Sequence, residues 1–301
     1  MIYYLDCDTG VDDALALALL LADPAVDLAG IGTVSGNTSA GRAARNTLDL
    51  LALAGREDIA VAVGAHHPLA GDFAGGAAVV HGGNGIGGVT LPTAAREPVD
   101  GTAAELLVEL ARAHPGRLRV IATGPLTNLA LALRLEPALP GLVQDVTAMG
   151  GAVRVPGNIT GHAEANIAND PAAAVAVLAA AWPVTLVPLD VTMEHRFGPA
   201  DQQALRAAGT PLSTALADLL TGYFDYYEGQ LGKREVPLHD PLAAGIATGA
   251  LEPADAPLLG LRVEADGRLL EDPGAGPATR VVLTVRSAAA PIIRDRILAG
   301  S

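Results

Sequence analysis

Short runs rich in β-forming residues alternate with helical patterns along nearly the whole chain, and this alternation restricts the fold more than any other feature. Strands are expected at 2–6, 28–34, 59–63, 118–123, 146–150 and 184–189, with late strands at 259–265 and 281–285. Helical patterns fill the intervals, among them 12–22, 40–54, 103–114, 126–135, 211–231 and 240–249. Gly55 closes the second helix, and Asp170 and Pro171 open a later one as N-cap and first helical residue. The predicted architecture is α/β: one domain over residues 1–301, with an open, mostly parallel central sheet flanked by helices. Ligands of such sheets bind outside the carboxyl ends of the strands. The search for function therefore reduces to the polar residues that directly follow a strand.

The first predicted strand ends in LDCDTGVDD, which places Asp6, Asp8, Asp12 and Asp13 within eight residues. Crowded carboxylates cost free energy unless a cation or hydrogen bonds offset the repulsion. Asp6 and Asp8 share one side of the strand end, and Gly10 suits a tight turn. Asp12 and Asp13 fall on a first helical turn, where negative charge is favoured. Helix capping explains one or two of these residues but not four, so a divalent-cation site is expected. All-oxygen ligands point to Ca²⁺ or Mg²⁺ rather than zinc. Cys7, the only cysteine, reads as a small buried apolar residue, and a single thiol excludes a disulfide framework.

Other strand ends carry polar groups of the same kind. The strand at 28–34 runs into Ser35-Gly36-Asn37, and the one at 118–123 into GPLTN. The strand at 146–150 leads to Asn158, Glu164, Asn166 and Asp170, and PLHDP places His239 and Asp240 before a helix. Amides and carboxylates gathered around a cation suit a polyhydroxylated ligand, whose vicinal hydroxyls ligate the metal.

In this order and spacing, DCDTGVDDALAL, TVSGN, ATGPLTNLA, GN…AEANIANDPAAA and PLHDPLA resemble the inosine–uridine-preferring nucleoside hydrolases, over essentially the full length. The resemblance implies a Rossmann-like fold and one bound Ca²⁺, held by Asp8, Asp13, the Thr123 backbone carbonyl and Asp240. It implies that Asp8 is also the general base for the attacking water, and that Asp6 orients its neighbours. Asp12 and Asn166 match contacts to the ribose 2′-hydroxyl, and Asn37 a contact near the 3′-hydroxyl and the metal. Asn158 and Glu164 match a clamp on the 5′-hydroxyl, and His239 a proton donor or base-pocket residue. The implied reaction is Ca²⁺-dependent hydrolysis of the N-glycosidic bond of ribonucleosides to free base and ribose. A homodimer or homotetramer is implied as well. The contrasting reading is a non-catalytic ribose- or nucleoside-binding protein on the same fold, but no ligand position is missing.

His81, Tyr223, Tyr226, Tyr227 and His239 are the candidate residues around the base. Purine-specific relatives sandwich the base between tryptophans, whereas the only tryptophan here, Trp182, reads as core. His81 with His239 leans toward pyrimidine or mixed preference, with a protonated histidine assisting departure of the base. Ala165 stands where the family often has an aromatic residue, Asn84 where acidic residues are common, and Gly161 where proline is frequent. These departures touch the shape of the pocket and no metal ligand.

Charge and composition limit the partners. A formal net charge of −14, with 33 acidic against 19 basic residues, disfavours nucleic acid as a partner. The opening MIYYLDCDTG has no basic n-region and no long apolar core, so a cytoplasmic protein without a signal peptide is expected. The apolar run 172–189 is alanine-rich and interrupted by Pro183, which reads as helix then strand rather than a membrane span. Asp6-Cys7-Asp8-Thr9 also invites comparison with haloacid dehalogenase-like phosphatases, but Gly10 stands where their threonine is needed. The segment 83–88 fits a dinucleotide pattern by spacing, but Pro92 blocks the helix that pattern requires. The glycine-rich stretch 71–88 is expected to be a mobile loop.

Overall fold

Ile2–Cys7 forms strand β1, and all six of its residues are buried in the computed structural model, which describes residues 1–300. Its side chains alternate. Tyr3, Leu5 and Cys7 enter one apolar layer, and Ile2 and Tyr4 the other. β1 pairs in parallel with β2 (Asp27–Thr33), and β2 with β3 (Ala60–Val63) at one edge. On its other side β1 pairs with β4 (Leu118–Ala122), followed by β5 (Val143–Met149) and β6 (Val184–Val187). Strands Thr279–Val281 and Leu258–Leu259 complete an eight-stranded sheet, and only their mutual pairing is antiparallel. The mostly parallel α/β sheet expected from the alternation is thus observed.

The strand order 3-2-1-4-5-6 reverses between β1 and β4. Chains leave these two adjacent strands in opposite directions, which opens a crevice at their carboxyl ends. Helices cover both faces. Leu15, Leu50, Leu216 and Ile293 belong to one layer, and Leu107, Leu129 and Val177 to the other. Residues 11–20 of the helix Val11–Ala22 are buried on every side, as an apolar sequence without a polar stripe requires. That helix packs against helices His239–Thr248, Ala289–Ala299 and Pro211–Leu231. The end of the chain is thereby brought against its beginning.

Three local expectations change. The run 184–189 leaves the sheet at Val187, because Pro188 lacks the N–H a further ladder bond needs, and a single helical turn, Leu189–Thr192, follows. The late run 259–265 breaks at Gly260, where the backbone passes so close to the Asp272 carbonyl that no side chain fits. Leu258–Leu259 stays in the main sheet, whereas Leu261–Val263 turns into a hairpin with Leu269–Glu271. The stretch 71–88 is not simply a loop: Ala78–His81 is helical and His81 is buried. The run 172–189 resolves into helix and strand as expected, with Trp182 buried and its indole N–H donating to the Val177 carbonyl at 2.9 Å. Among the described residues no helix is long and apolar enough to cross a membrane.

Candidate active site

Asp8 follows β1 directly, and Asp12 and Asp13 occupy the first turn of the helix Val11–Ala22. Gly10 caps that helix in extended conformation, with φ −89°, so no left-handed turn explains the glycine. The reason is close approach: a Cβ at Gly10 would collide with the Asn37 side-chain amide and the His81 ring. Asp13 carries out the local capping, accepting from the Gly10 N–H at 2.7 Å. Its other oxygen accepts from the Thr123 hydroxyl, at the end of β4, at 2.7 Å. Asn37 ties the carboxylates together. Its backbone N–H and side-chain amide donate to Asp8 at 2.7 and 3.1 Å, and the amide also reaches Asp13 at 3.2 Å.

Helix His239–Thr248 delivers Asp240 into the same crevice, and one carboxylate oxygen each from Asp12, Asp13 and Asp240 lies within 4.8 Å of the others. All three residues are buried, and Asp12 Oδ1 has no hydrogen-bond partner. Burial raises the Asp12 carboxyl to about 6. Burial and the facing carboxylates push Asp8, Asp13 and Asp240 up as well. Removing this many like charges from water is tolerated only with protons or a cation among them. The all-oxygen donor set and the unpartnered Asp12 oxygen fit a hard divalent cation. Asp6 lies within β1, two residues before Asp8. Asn128 Nδ2 donates to it at 2.8 Å and the Tyr4 hydroxyl reaches it at 3.3 Å, while burial raises its carboxyl to about 7.

A cavity of about 350 Å³ opens above this cluster. Asp12, Asn37, Thr123 and Asp240 reach its wall, and Asp8 and Asp13 stand behind them. One flank carries Asn158, Glu164 and Asn166. The Glu164 carboxylate accepts from the backbone N–H groups of Gly151, Asn166 and Ile167, and so caps the helix Ala165–Asn169. Asn166 Nδ2 donates to the Thr123 carbonyl at 2.7 Å, and Asn158 Oδ1 accepts from the Ala165 N–H at 3.0 Å.

The opposite flank is aromatic, with His81, Tyr223, Tyr226, Tyr227 and His239. Tyr223 serves both core and cavity: it is buried, and its hydroxyl donates to Asp12 Oδ2 at 3.2 Å. The Tyr227 hydroxyl meets His239 Nε2 at 3.2 Å, and the Thr192 hydroxyl meets His239 Nδ1 at 2.8 Å. The His81 ring accepts from the Val11 N–H at 3.2 Å through Nδ1. Burial lowers His81 to about 4 and His239 to about 3. Both rings are therefore neutral near pH 7, which corrects the expectation of a protonated histidine beside the base. Any proton-sharing by His239 runs through a neutral ring N–H.

Along residues 3–289 the sequence matches the family described as inosine-uridine preferring nucleoside hydrolase. The chain belongs to this family. It is 41% identical over 237 residues to the pyrimidine-specific ribonucleoside hydrolase RihA of Salmonella newport (strain SL254), covering 78% of this chain and 76% of that one. It superposes on the plant nucleoside hydrolase PpNRh1 with a TM-score of 0.93, at 28% identity and 98% coverage of both chains. The purine-preferring ribonucleoside hydrolase from Gardnerella vaginalis gives a TM-score of 0.92 at 29% identity, covering 100% of this chain and 98% of that one. Nucleoside hydrolases are N-glycosyl hydrolases, and this chain is a ribonucleoside hydrolase.

Asp12, Asn37, His81, Thr123, Asn158, Glu164, Asn166, Tyr227, His239 and Asp240 all reach the cavity wall of this nucleoside hydrolase. His195 Nδ1 accepts from the Ala289 N–H at 3.4 Å, and that ring lies off the cavity. Thr192, four residues beyond Pro188, joins His239 only because Pro188 ends the strand early and a helical turn follows. One substitution probes the tight ends of β1 and β2. A Cβ at Gly36 would overlap the Asp8 carboxylate and press on Pro125. Gly36→Ala is expected to reduce kcat at least roughly a hundredfold while circular dichroism stays native, since small displacements of reacting groups cost that much. Wild-type kinetics in that variant would show that the crowding is of no consequence.

Proposed function

We propose that the enzyme uses Ca²⁺ to hydrolyse ribonucleosides, with pyrimidine or mixed base preference. The observation that carries this reading is the buried Asp12–Asp13–Asp240 triplet, with its unpartnered Asp12 oxygen, at the floor of a cavity. Asp8, Asp13, Asp240 and the Thr123 carbonyl are the groups that would hold the ion, with Asp12, one of whose oxygens lies within 4.8 Å of those of Asp13 and Asp240, beside it toward the ribose 2′-hydroxyl. When bound, Ca²⁺ supplies a Lewis acid that fixes the ribose diol and acidifies the attacking water.

The remaining work falls to the chain's own residues. Asp8, held by both donors of Asn37, takes the proton of the water. Breaking the glycosidic bond develops positive charge on the sugar, which the surrounding carboxylates stabilise without reorganising. Glu164 and Asn158 orient the sugar from its hydroxymethyl side, Asp12 and Asn166 from its 2′ side, and Asn37 from its 3′ side. The base departs toward Tyr223, Tyr227 and His239. The preference rests on this flank, which carries tyrosines and histidines but no tryptophan, and on the pyrimidine-specific names of relatives such as that of Salmonella newport. We further read residues 1–301 as one catalytic domain that works in the cytoplasm as a homodimer or homotetramer.

The test is a panel of uridine, cytidine, inosine and adenosine with their 2′-deoxy counterparts, assayed for free base with Ca²⁺ present. Uridine or cytidine is expected to be turned over at least as well as the purines. Each deoxynucleoside is expected to be slower by roughly a hundredfold or more, as when a bound polar group is left unpaired. Turnover confined to the purine nucleosides would overturn the preference, and equal rates for ribo and deoxy substrates would overturn the role of the diol.

A further inference from the structure

Thr192 lies in the single helical turn that follows β6, fully buried, and its hydroxyl is 2.8 Å from His239 Nδ1. Among the described residues that side chain has no other hydrogen-bond partner. We propose that Thr192 is a positioning residue that donates its hydroxyl proton to His239 Nδ1 and thereby keeps the ring proton on Nε2, against the Tyr227 hydroxyl on the aromatic wall of the cavity.

The argument is an accounting of buried O–H groups. Tyr223 spends its proton on Asp12 Oδ2. Tyr227 lines the cavity, so its proton has the cavity to donate into and its oxygen is free to accept from His239 Nε2, 3.2 Å away. His239 Nδ1 is then bare and takes the Thr192 proton. Fully buried Thr192, whose one partner among the described residues is Nδ1, thereby finds its acceptor. With the ring proton on Nδ1 instead, Thr192 would become an acceptor, and its own proton would be buried with nowhere to go. Such orphaned donors are rare because each forfeits its hydration without replacement. The partner of one ring nitrogen sets the state of the other.

The consequence concerns the leaving group. His239 lines the cavity on its aromatic flank. With the Nε2 proton held by the Tyr227 oxygen, the Tyr227 hydroxyl is left to donate into the cavity, to a base that accumulates electron density as the glycosidic bond lengthens, whereas the other tautomer would draw that hydroxyl proton onto Nε2. This consequence rests on the nucleoside-cleavage reading above, but the tautomer assignment does not.

The experiment records ¹⁵N spectra of histidine-labelled protein, with the His239 signals assigned by their loss in His239→Asn, alongside uridine kinetics. Wild type is expected to show an unprotonated Nδ1 and a protonated Nε2. Thr192→Val removes the hydroxyl at nearly constant shape and is expected to abolish that pattern. It is also expected to lower kcat by roughly ten- to a hundredfold with KM changed less than about twofold. Thr192→Ser is expected to restore both. A wild-type spectrum with the proton on Nδ1 overturns the proposal, as does a Thr192→Val enzyme that keeps both the spectrum and kcat. If Thr192→Val does not fold, the wild-type spectrum and the Thr192→Ser kinetics still decide. A protein with the expected tautomer but no turnover of any nucleoside would remove the catalytic consequence and the function reading together, leaving the hydrogen-bond assignment standing.

Discussion

Alanine at position 8 is expected to lower kcat/KM by roughly ten-thousandfold or more, because one change removes both the proposed general base and a carboxylate of the proposed cation cluster. The Asp8 carboxylate also accepts both donors of Asn37, at 2.7 and 3.1 Å. Asp8→Ala therefore frees the amide that lies between Asp8 and the sugar cavity. The measurement is a steady-state assay at saturating Ca²⁺, with circular dichroism to show that the fold survives. Retention of more than about a tenth of wild-type kcat/KM would contradict the base assignment outright.

The second large effect is on stability. Stripping divalent cations with a chelator is expected to lower Tm, and to make stability decline as pH rises above about 6.5. The sign follows from the shifts. Asp12 is raised to about 6 and Asp6 to about 7, from 3.8. Carboxyls that bind protons more tightly when folded contribute stability that is complete below about 4 and lost as pH rises through the folded values. Asp8, Asp13 and Asp240 shift in the same direction. His81 and His239, lowered to about 4 and 3, do the opposite: their contribution is complete above 6.5 and lost as pH falls toward those values. Between about 4 and 6.5 the two groups oppose each other, and above 6.5 only the carboxylates still act. Added Ca²⁺ supplies the missing positive charge and is expected to flatten that decline. An ion held at a thousand times its dissociation constant adds about 4 kcal/mol. Thermal melts from pH 6.5 to 8.5, with chelator and with excess Ca²⁺, decide the matter. Superimposable curves would mean that the cluster does not hold the ion.

Much of the layout was legible because it rests on local chemistry. The alternation of runs predicts the sheet, and polar residues after strand ends predict the cavity wall from Asp12 to Asp240. What escaped depends on contacts distant in sequence. Nothing local shows that Gly10 is a glycine because Asn37 and His81 crowd it. Nor does any spacing reveal that Asn128, 122 positions from Asp6, holds that buried carboxyl in place. His239 reads as a titrating residue until its complete burial is seen, and burial is what keeps it neutral. Thr192 is hidden because the run 184–189 reads as strand through Leu189, whereas Pro188 ends it early and a helical turn brings the Thr192 hydroxyl to His239.

The docking of helix His239–Thr248 against Val11–Ala22 has a further consequence for how the enzyme comes into being. Half of the cation pocket emerges from the ribosome with the first strand, and the remaining half only after some 230 more residues. Until then Asp12 and Asp13 are an unfinished acidic notch with nothing to close it. Capture of the ion therefore marks the completion of folding rather than its start, and refolding followed by sheet formation is expected to run ahead of refolding followed by activity.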